Sequence, residues 1–443
     1  MMEHHHIHST TEGRVTEAKV LEPAPGGKTV EVQIEAKPTD WEISPGHVVA
    51  GYGFNGQVPG PTIEGEVGDL LVVLLTNRLS QPTTIHWHGL RVPADMDGTE
   101  MTQHPVEPGQ TFEYRFRLPD AGTFWYHPHM HETEQMERGM YGALVVHGPA
   151  EPQLDRERVL IFDDLKLDHR GNIARFGGLM QRAKGRLGNV RLVNGAVTPE
   201  FDMSAGQIER WRVLNASSSR YVHLSIGGRP FTILGTDGGL IPKPMTVSDA
   251  VLAVADRLDL AVGPFAEGET IAVDSLAYDR GDMVKEEGGH YATVHVGSAL
   301  PSRAVIPPTL RHIDPLVTGE VMPNRTVALG VKMSLRHGVN WTIDGEAHHH
   351  GEPVRVGELQ VWDVVNDTAM DHPFHLHGFF FQVLDVNGKP PATISWEDTI
   401  NVPKKGRVRI AWLPDDRPGS WMYHCHILEH AAAGMMAHFE VVR

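Results

Sequence analysis

Along this chain the apolar positions fall in short runs that alternate with polar ones, are rich in Val, Thr, Trp and Tyr, and are separated by turn residues. A period of two predicts strands with one buried face, and many short strands at this spacing predict an all-β chain of sandwiches or barrels. The strongest apolar run, LLVVLL at 70–75, has the length of a strand and falls well short of the roughly 18 residues of a membrane span. Helices should be few, with the stretch TEQMERGM at 133–140 as the candidate.

The pattern recurs three times. FNGQVPGPTIEGEVGDLLVVLLTNRL (54–79), VNGAVTPEFDMSAGQIERWRVLNAS (193–217) and IDGEAHHHGEPVRVGELQVWDVVNDT (343–368) share one plan. Each has Asn or Asp before Gly, a turn, Gly followed by Asp, Gln or Glu, an apolar strand, and an Asn. A histidine follows each copy at a comparable distance: His86, His223 and His375. The copies lie about 140 to 150 residues apart, the size of one domain. With the Pro-rich stretches 147–157 and 297–312 as linkers, three domains are expected, at 1–148, 149–300 and 301–443.

Composition narrows the possible partners. A net charge of −17, spread along the chain, speaks against nucleic acid or an anionic membrane surface. A single cysteine, Cys425, excludes an intramolecular disulfide framework. The opening MMEHHHIHSTTEG lacks the apolar core of a signal peptide, and its HHHIH reads as a tail or cloning remnant.

The chemistry lies in the histidines. The first domain carries HWHG (His86, His88) and WYHPHMH (His127, His129, His131). The third carries HPFHLHG (His372, His375, His377) and YHCHILEHAAAGMM (His424, Cys425, His426, His430, Met435). The middle domain has nothing comparable, and its His223 reads as structural. Residues two apart on a strand share a face, so each His-X-His aims two imidazoles the same way. Four such pairs supply eight imidazoles, enough for about three metal ions of the copper, zinc, iron or nickel kind. The pairs come from both ends of the chain, which places the cluster where domains one and three meet. If His424 and His426 face that junction, Cys425 faces the opposite way, toward His372, His430 and Met435. Two His, one thiolate and a weak axial Met make the ligand set of a blue-copper electron-transfer site. Structural zinc, with its closed set of four ligands, accounts for neither the surplus histidines nor the Met. The triplet at 348–350 reads as an exposed loop, and the Met groups Met96/Met101 and Met130/Met136/Met140 as core or loop filling.

These four motifs, with FNGQVPGPTI, occur in the order found in three-domain multicopper oxidases, and the chain closely resembles that family, bacterial laccases in particular. The resemblance implies three cupredoxin-like domains and four copper ions: one type 1, one type 2 and a binuclear type 3 pair. By position it assigns His372, Cys425, His430 and Met435 to type 1, and His86 and His375 to type 2. It assigns His88, His127, His129, His377, His424 and His426 to type 3, and leaves His131 outside the pattern. It implies one-electron oxidation of a small phenol or aromatic amine, electron passage from Cys425 to His424 and His426, and four-electron reduction of O₂ to water. An axial Met stabilises oxidised copper, so the type 1 potential should be low to moderate and easily oxidised donors favoured.

Asp97 stands where relatives place an acid near the type 2 ion, although an Asp before Gly98 also suits a turn. Ala431 replaces the Glu that many bacterial members carry after the last type 1 His, so proton delivery should lean on Asp97. Asp371, next to His372, is a candidate for supporting that ligand from behind. Export to the periplasm or beyond is implied by the resemblance, and a monomer is expected. The closest rival reading is a metallo-oxidase acting on Cu(I) or Fe(II). A copper nitrite reductase or a copper carrier would need no paired histidines.

Overall fold

The computed structural model describes residues 21–281, 284–334 and 338–443, so the amino-terminal HHHIH lies outside the described residues. The described chain is built of strands packed in three β-sandwiches in sequence order.

In the first sandwich a sheet ordered His47–Phe54, Thr29–Ser44, Leu70–Asn77, Thr111–Arg117 faces one ordered Ile63–Glu66, Gly142–His147, Gly122–His127, His86–His88. Leu71, Val73 and Leu75 point inward from the apolar run to meet Trp87, Phe124 and Leu144 in one core. The middle sandwich pairs a seven-stranded with a five-stranded sheet around Trp211, Val213, Leu224 and Val273. The third pairs a five-stranded with a six-stranded sheet, and its core holds Trp362, Trp412, Trp421 and, among them, Cys425.

The sequence repeat has a structural meaning at both of its fixed points. Its Asn/Asp-Gly steps are turns with both residues at positive φ: Asn55/Gly56 at 57° and 73°, Asn194/Gly195 at 51° and 77°, Asp344/Gly345 at 51° and 80°. Asn, Asp and Gly are the residues that tolerate this conformation. Each turn side chain also accepts a backbone N–H from the opening strand of its own domain: Glu35 to Asn55, Ile161 to Asn194, Ala328 to Asp344. The closing Asn is buried in every copy and ties down the loop that follows. Asn77 donates to the carbonyls of Gln81 and Val106, Asn215 to those of Arg220, Leu252 and Ala253, and Asn366 to those of Met370 and Val402. In each domain the strand ending in this Asn runs parallel to the opening strand. The repeat is therefore one supersecondary unit used three times.

Helix is scarce. The stretch expected at 133–140 yields one turn, Glu132–Gln135, and two further short helices span Leu179–Lys184 and Leu428–Ala432. No helix among the described residues is long and apolar enough to cross a membrane.

Candidate metal centre

The His-X-His pairs sit on, or straddle the ends of, short strands at the facing edges of the first and third sandwiches: His86 and His88 lie on one, while His129, His377 and His426 follow the ends of theirs. His86 lies opposite His127 in the antiparallel pair of His86–His88 with Gly122–His127. In the third domain His375 lies opposite His424, and Phe374 opposite Cys425. Gly98 allows the close approach that seats this edge: its φ is +84°, and a Cβ there would lie 1.9 Å from the carbonyl oxygen of Ile85. All eight paired histidines are buried.

Their rings form three groups. The donor atoms of His129, His377 and His424 lie within 4.8 Å of one another. His88, His127 and His426 have ring centroids 5.1, 5.5 and 5.7 Å apart. His86 and His375, one from each domain, lie between them with centroids 5.8 Å apart.

One nitrogen of nearly every ring is tied outward. The Nδ1–H groups of His86, His127, His375 and His424 donate to the carbonyls of Asp97, Pro128, Asp398 and Cys425 at 2.8–2.9 Å. His377 Nδ1 meets the Asp97 carboxylate at 2.9 Å, His88 Nε2 the Asp398 carboxylate at 3.0 Å, and His129 Nδ1 that of Glu132 at 2.6 Å. The other nitrogens of His86, His88, His127, His129 and His375, and both of His426, are buried without a hydrogen-bond partner. A buried polar atom left unpaired costs about 1–3 kcal/mol, so a cluster of them facing one another calls for an electrophile between them. Neutral imidazoles, held in one tautomer by their outer hydrogen bonds and with lone pairs converging, fit copper. Burial and the neighbouring imidazoles hold His127, His424 and His426 well below the usual imidazole range, which keeps those lone pairs free of protons.

On the other side of the strand the Cys425 Sγ lies 3.5 Å from His372 Nδ1 and 3.8 Å from His430 Nδ1, and the two Nδ1 atoms are 3.2 Å apart. Met435 is buried in the same cluster, and its backbone bonds to both neighbours: Cys425 N–H donates to its carbonyl at 3.0 Å, and its own N–H donates to the His430 carbonyl at 2.9 Å. Burial pushes the Cys425 thiol up to about 12. Only a bound cation would make this sulfur a thiolate at neutral pH. The Ile427 N–H points at the sulfur at 3.4 Å, and Trp341 packs over His430 with centroids 4.0 Å apart. The helix Leu179–Lys184 of the middle domain covers this end: Arg182 donates to the Val339 carbonyl, its own carbonyl accepts from Trp341 Nε1 at 2.7 Å, and Ala183 packs on the core that holds Cys425.

Asp97 is buried with its carboxylate on His377 and its Oδ1 3.4 Å from His86 Nδ1. Burial opposes its charge, but His377 and His86 outweigh that and hold the carboxyl well below the usual range. Sequence reasoning missed two acids. Asp398 has no motif around it, yet it serves the third domain as Asp97 serves the first, and its carboxylate also receives the guanidinium of Arg257 from the middle domain at 2.7 Å. Glu132, one residue before the stretch read as helical, opens the helical turn Glu132–Gln135 and bonds His129. Asp371 faces Tyr278 and the Lys404 N–H. His223 pairs with Asp249 at 2.8 Å. In the 348–350 triplet His348 and His350 are exposed, while His349–His350 form a short strand against Ala437–His438. Met130, Met136 and Met140 are buried.

The multicopper oxidase family matches this chain over residues 35–151, 168–267 and 322–443. Multicopper oxidase MmcO of Mycobacterium tuberculosis is 30% identical, with 94% of this chain and 88% of the relative aligned. The chain belongs to the multicopper oxidase family. As a multicopper oxidase it is a copper-dependent oxidoreductase with O₂ as acceptor and a complement of four copper ions, one type 1, one type 2 and a type 3 pair. Its sandwiches are the cupredoxin-like domains of that family. Among solved structures, a multicopper oxidase from Campylobacter jejuni described as a metallo-oxidase superposes with a TM-score of 0.83 at 30% identity, covering 96% of this chain and 98% of that one. A Bacillus subtilis protein named laccase is 27% identical, with 88% of this chain and 90% of the relative aligned.

Proposed function

We propose that this multicopper oxidase acts as a laccase, taking single electrons from small phenols or aromatic amines and passing them to O₂. His372, Cys425, His430 and Met435 hold the type 1 ion, His86 and His375 the type 2 ion. His88, His127 and His426 hold one type 3 ion, and His129, His377 and His424 the other. The division into domains at 1–148, 149–300 and 301–443 leaves the middle domain without copper, and the segment after residue 300 lies on the middle core through Ile306 and Leu310. The protein works as a monomer and is exported.

The observation that carries this reading is the set of buried imidazoles with outer nitrogens bonded and inner nitrogens unpaired. Bound copper supplies one-electron redox chemistry, so that single-electron donors are pooled for the four electrons O₂ requires. The chain's own residues do the rest. Alternation along Gly419–Cys425 puts the sulfur of Cys425 on one face and His424 on the other, a short covalent path between the two sites. Asp97 holds His377 in orientation and offers a carboxylate oxygen as proton carrier beside His86. Burial of the paired histidines and of Cys425 limits side reactions.

One observation favours a second reading, a metallo-oxidase. His430 is fully buried beneath Trp341 and the segment carrying helix Leu179–Lys184, which restricts the approach of a bulky donor but not of an ion. Comparing kcat/KM for a dimethoxyphenol, Cu(I) and Fe(II) on one preparation decides between them. The laccase reading predicts the phenol as the best donor. A kcat/KM for either metal ion that exceeds it about tenfold would overturn the reading.

A further inference from the structure

A cavity of about 580 Å³ opens between the first and third domains, and its inner wall is His129. Its sulfur and nitrogen lining is Met101 and His131 from the first domain and His348, Met422, Met436 and His438 from the third, with Glu100, Glu132 and Thr133 of the first domain on the same wall as His131. We propose that this cavity is a fifth copper site, built of thioether and imidazole donors and selective for Cu(I). It lies on the side of the cluster where His129 stands, away from the Cys425 site, and the proposal holds whichever donor the enzyme oxidises.

The strand register supports it. Gly419–Cys425 and Met436–Val442 run antiparallel with Met422 opposite His438 and His424 opposite Met436. Directly opposed residues share a face with Cβ atoms about 4.5–5.5 Å apart, and residues two apart on one strand share it too. Met422, Met436 and His438 therefore form one patch with His424, while Trp421, Tyr423 and Cys425 turn into the core. The first domain completes the patch. His131, the histidine left over by the family pattern, holds a left-handed backbone at φ 47° and lines the cavity opposite it. Met101, which reads from the sequence as core or loop filling, lines it too.

Three thioethers are the distinctive part of this lining. Thioethers select Cu(I), whereas Mg²⁺ and Ca²⁺ take oxygen ligands and a water route has no use for sulfur. Of the two acids in the lining, Glu132 is engaged by His129 at 2.6 Å and Glu100 is exposed to solvent. His438 Nδ1 is buried without a partner.

The test uses the four-copper holoenzyme with Ag(I) as a redox-inert probe for Cu(I). His4, His5, His6 and His8 are changed to Ser so that the amino-terminal histidines do not compete. Silver binding is followed by equilibrium dialysis, silver-edge X-ray absorption and the blue band. The expected result is one silver ion per chain, with sulfur scattering and an undiminished blue band. The triple variant Met101→Leu, Met422→Leu, Met436→Leu should lose affinity by about tenfold or more, and Met101→Leu alone should move it the same way. Leu conserves volume, so an intact blue band in the variant reports an intact fold. Silver held without sulfur, affinity unchanged in both variants, or a blue band that bleaches in step with silver uptake would each overturn the proposal.

Discussion

Asp97 and Asp398 do the same work from opposite domains. Each gives its backbone carbonyl to one proposed type 2 ligand, His86 or His375, and its carboxylate to one proposed type 3 ligand, His377 or His88. They differ in their other neighbours. Asp398 is locked by Arg257, so its charge is structural; the Asp97 carboxylate has His377 and His86 as its polar neighbours among the described residues and is the acid proposed for proton traffic. The Asp398→Asn change should thus destabilise the fold by about 1–3 kcal/mol, since the buried guanidinium of Arg257 loses one of the two carboxylates it faces and keeps Asp237. The fold depresses the Asp398 carboxyl, with burial opposed and outweighed by Arg257. Its contribution is therefore present above the ordinary carboxylate value of 3.8 and is lost as the pH falls through the lower folded value. Denaturation of Asp398→Asn across pH should show a shallower acid limb than wild type. Asp97→Asn should unfold normally and slow O₂ reduction about 10²-fold or more. Full turnover in both Asp97→Asn and Asp97→Ala would remove Asp97 from the proton route.

At the scale of elements, strand alternation made most of the site legible. Four His-X-His pairs and a cysteine between two of them need only a period of two to send imidazoles one way and sulfur the other, and the structure brings those side chains together in that arrangement. The Asn-Gly turns and closing Asn residues were legible as a repeat because each copy needs the same φ and the same loop clamp. Asp398 and the helix Leu179–Lys184 were not, since their partners lie far along the chain and leave no periodicity; Glu132, only three residues from His129, was hidden because an acid at the start of a helix carries no mark of that contact. The helix matters for access. It follows Gly177 and Gly178, both at positive φ with open space around them, and exposes Leu179 and Met180. Replacing residues 177–184 by a short Gly-Ser linker should raise kcat/KM for bulky dye donors about tenfold or more, because approach to His430 is then unobstructed. Equal values for the two chains would show that electrons enter elsewhere.

Across the whole molecule the middle domain is more than a spacer. It reaches the other two through buried arginines. Arg257 donates to the Thr123 carbonyl of the first domain and the Asp398 carboxylate of the third. Arg186 pairs with Glu137 of the first at 2.7 Å, and its backbone N–H donates to Glu429 of the third at 3.0 Å. These two clamps fix the distance between half-sites that neither outer domain can complete alone. What they hold in register is a mononuclear site and a trinuclear site, back to back on one strand. Copper content and absorption of Cys425→Ser test that arrangement most directly. The account predicts three coppers per chain in place of four, with the blue band gone and the near-ultraviolet shoulder of the coupled pair retained. A variant that keeps its blue band, or that loses the shoulder and the band together while remaining folded, would contradict it.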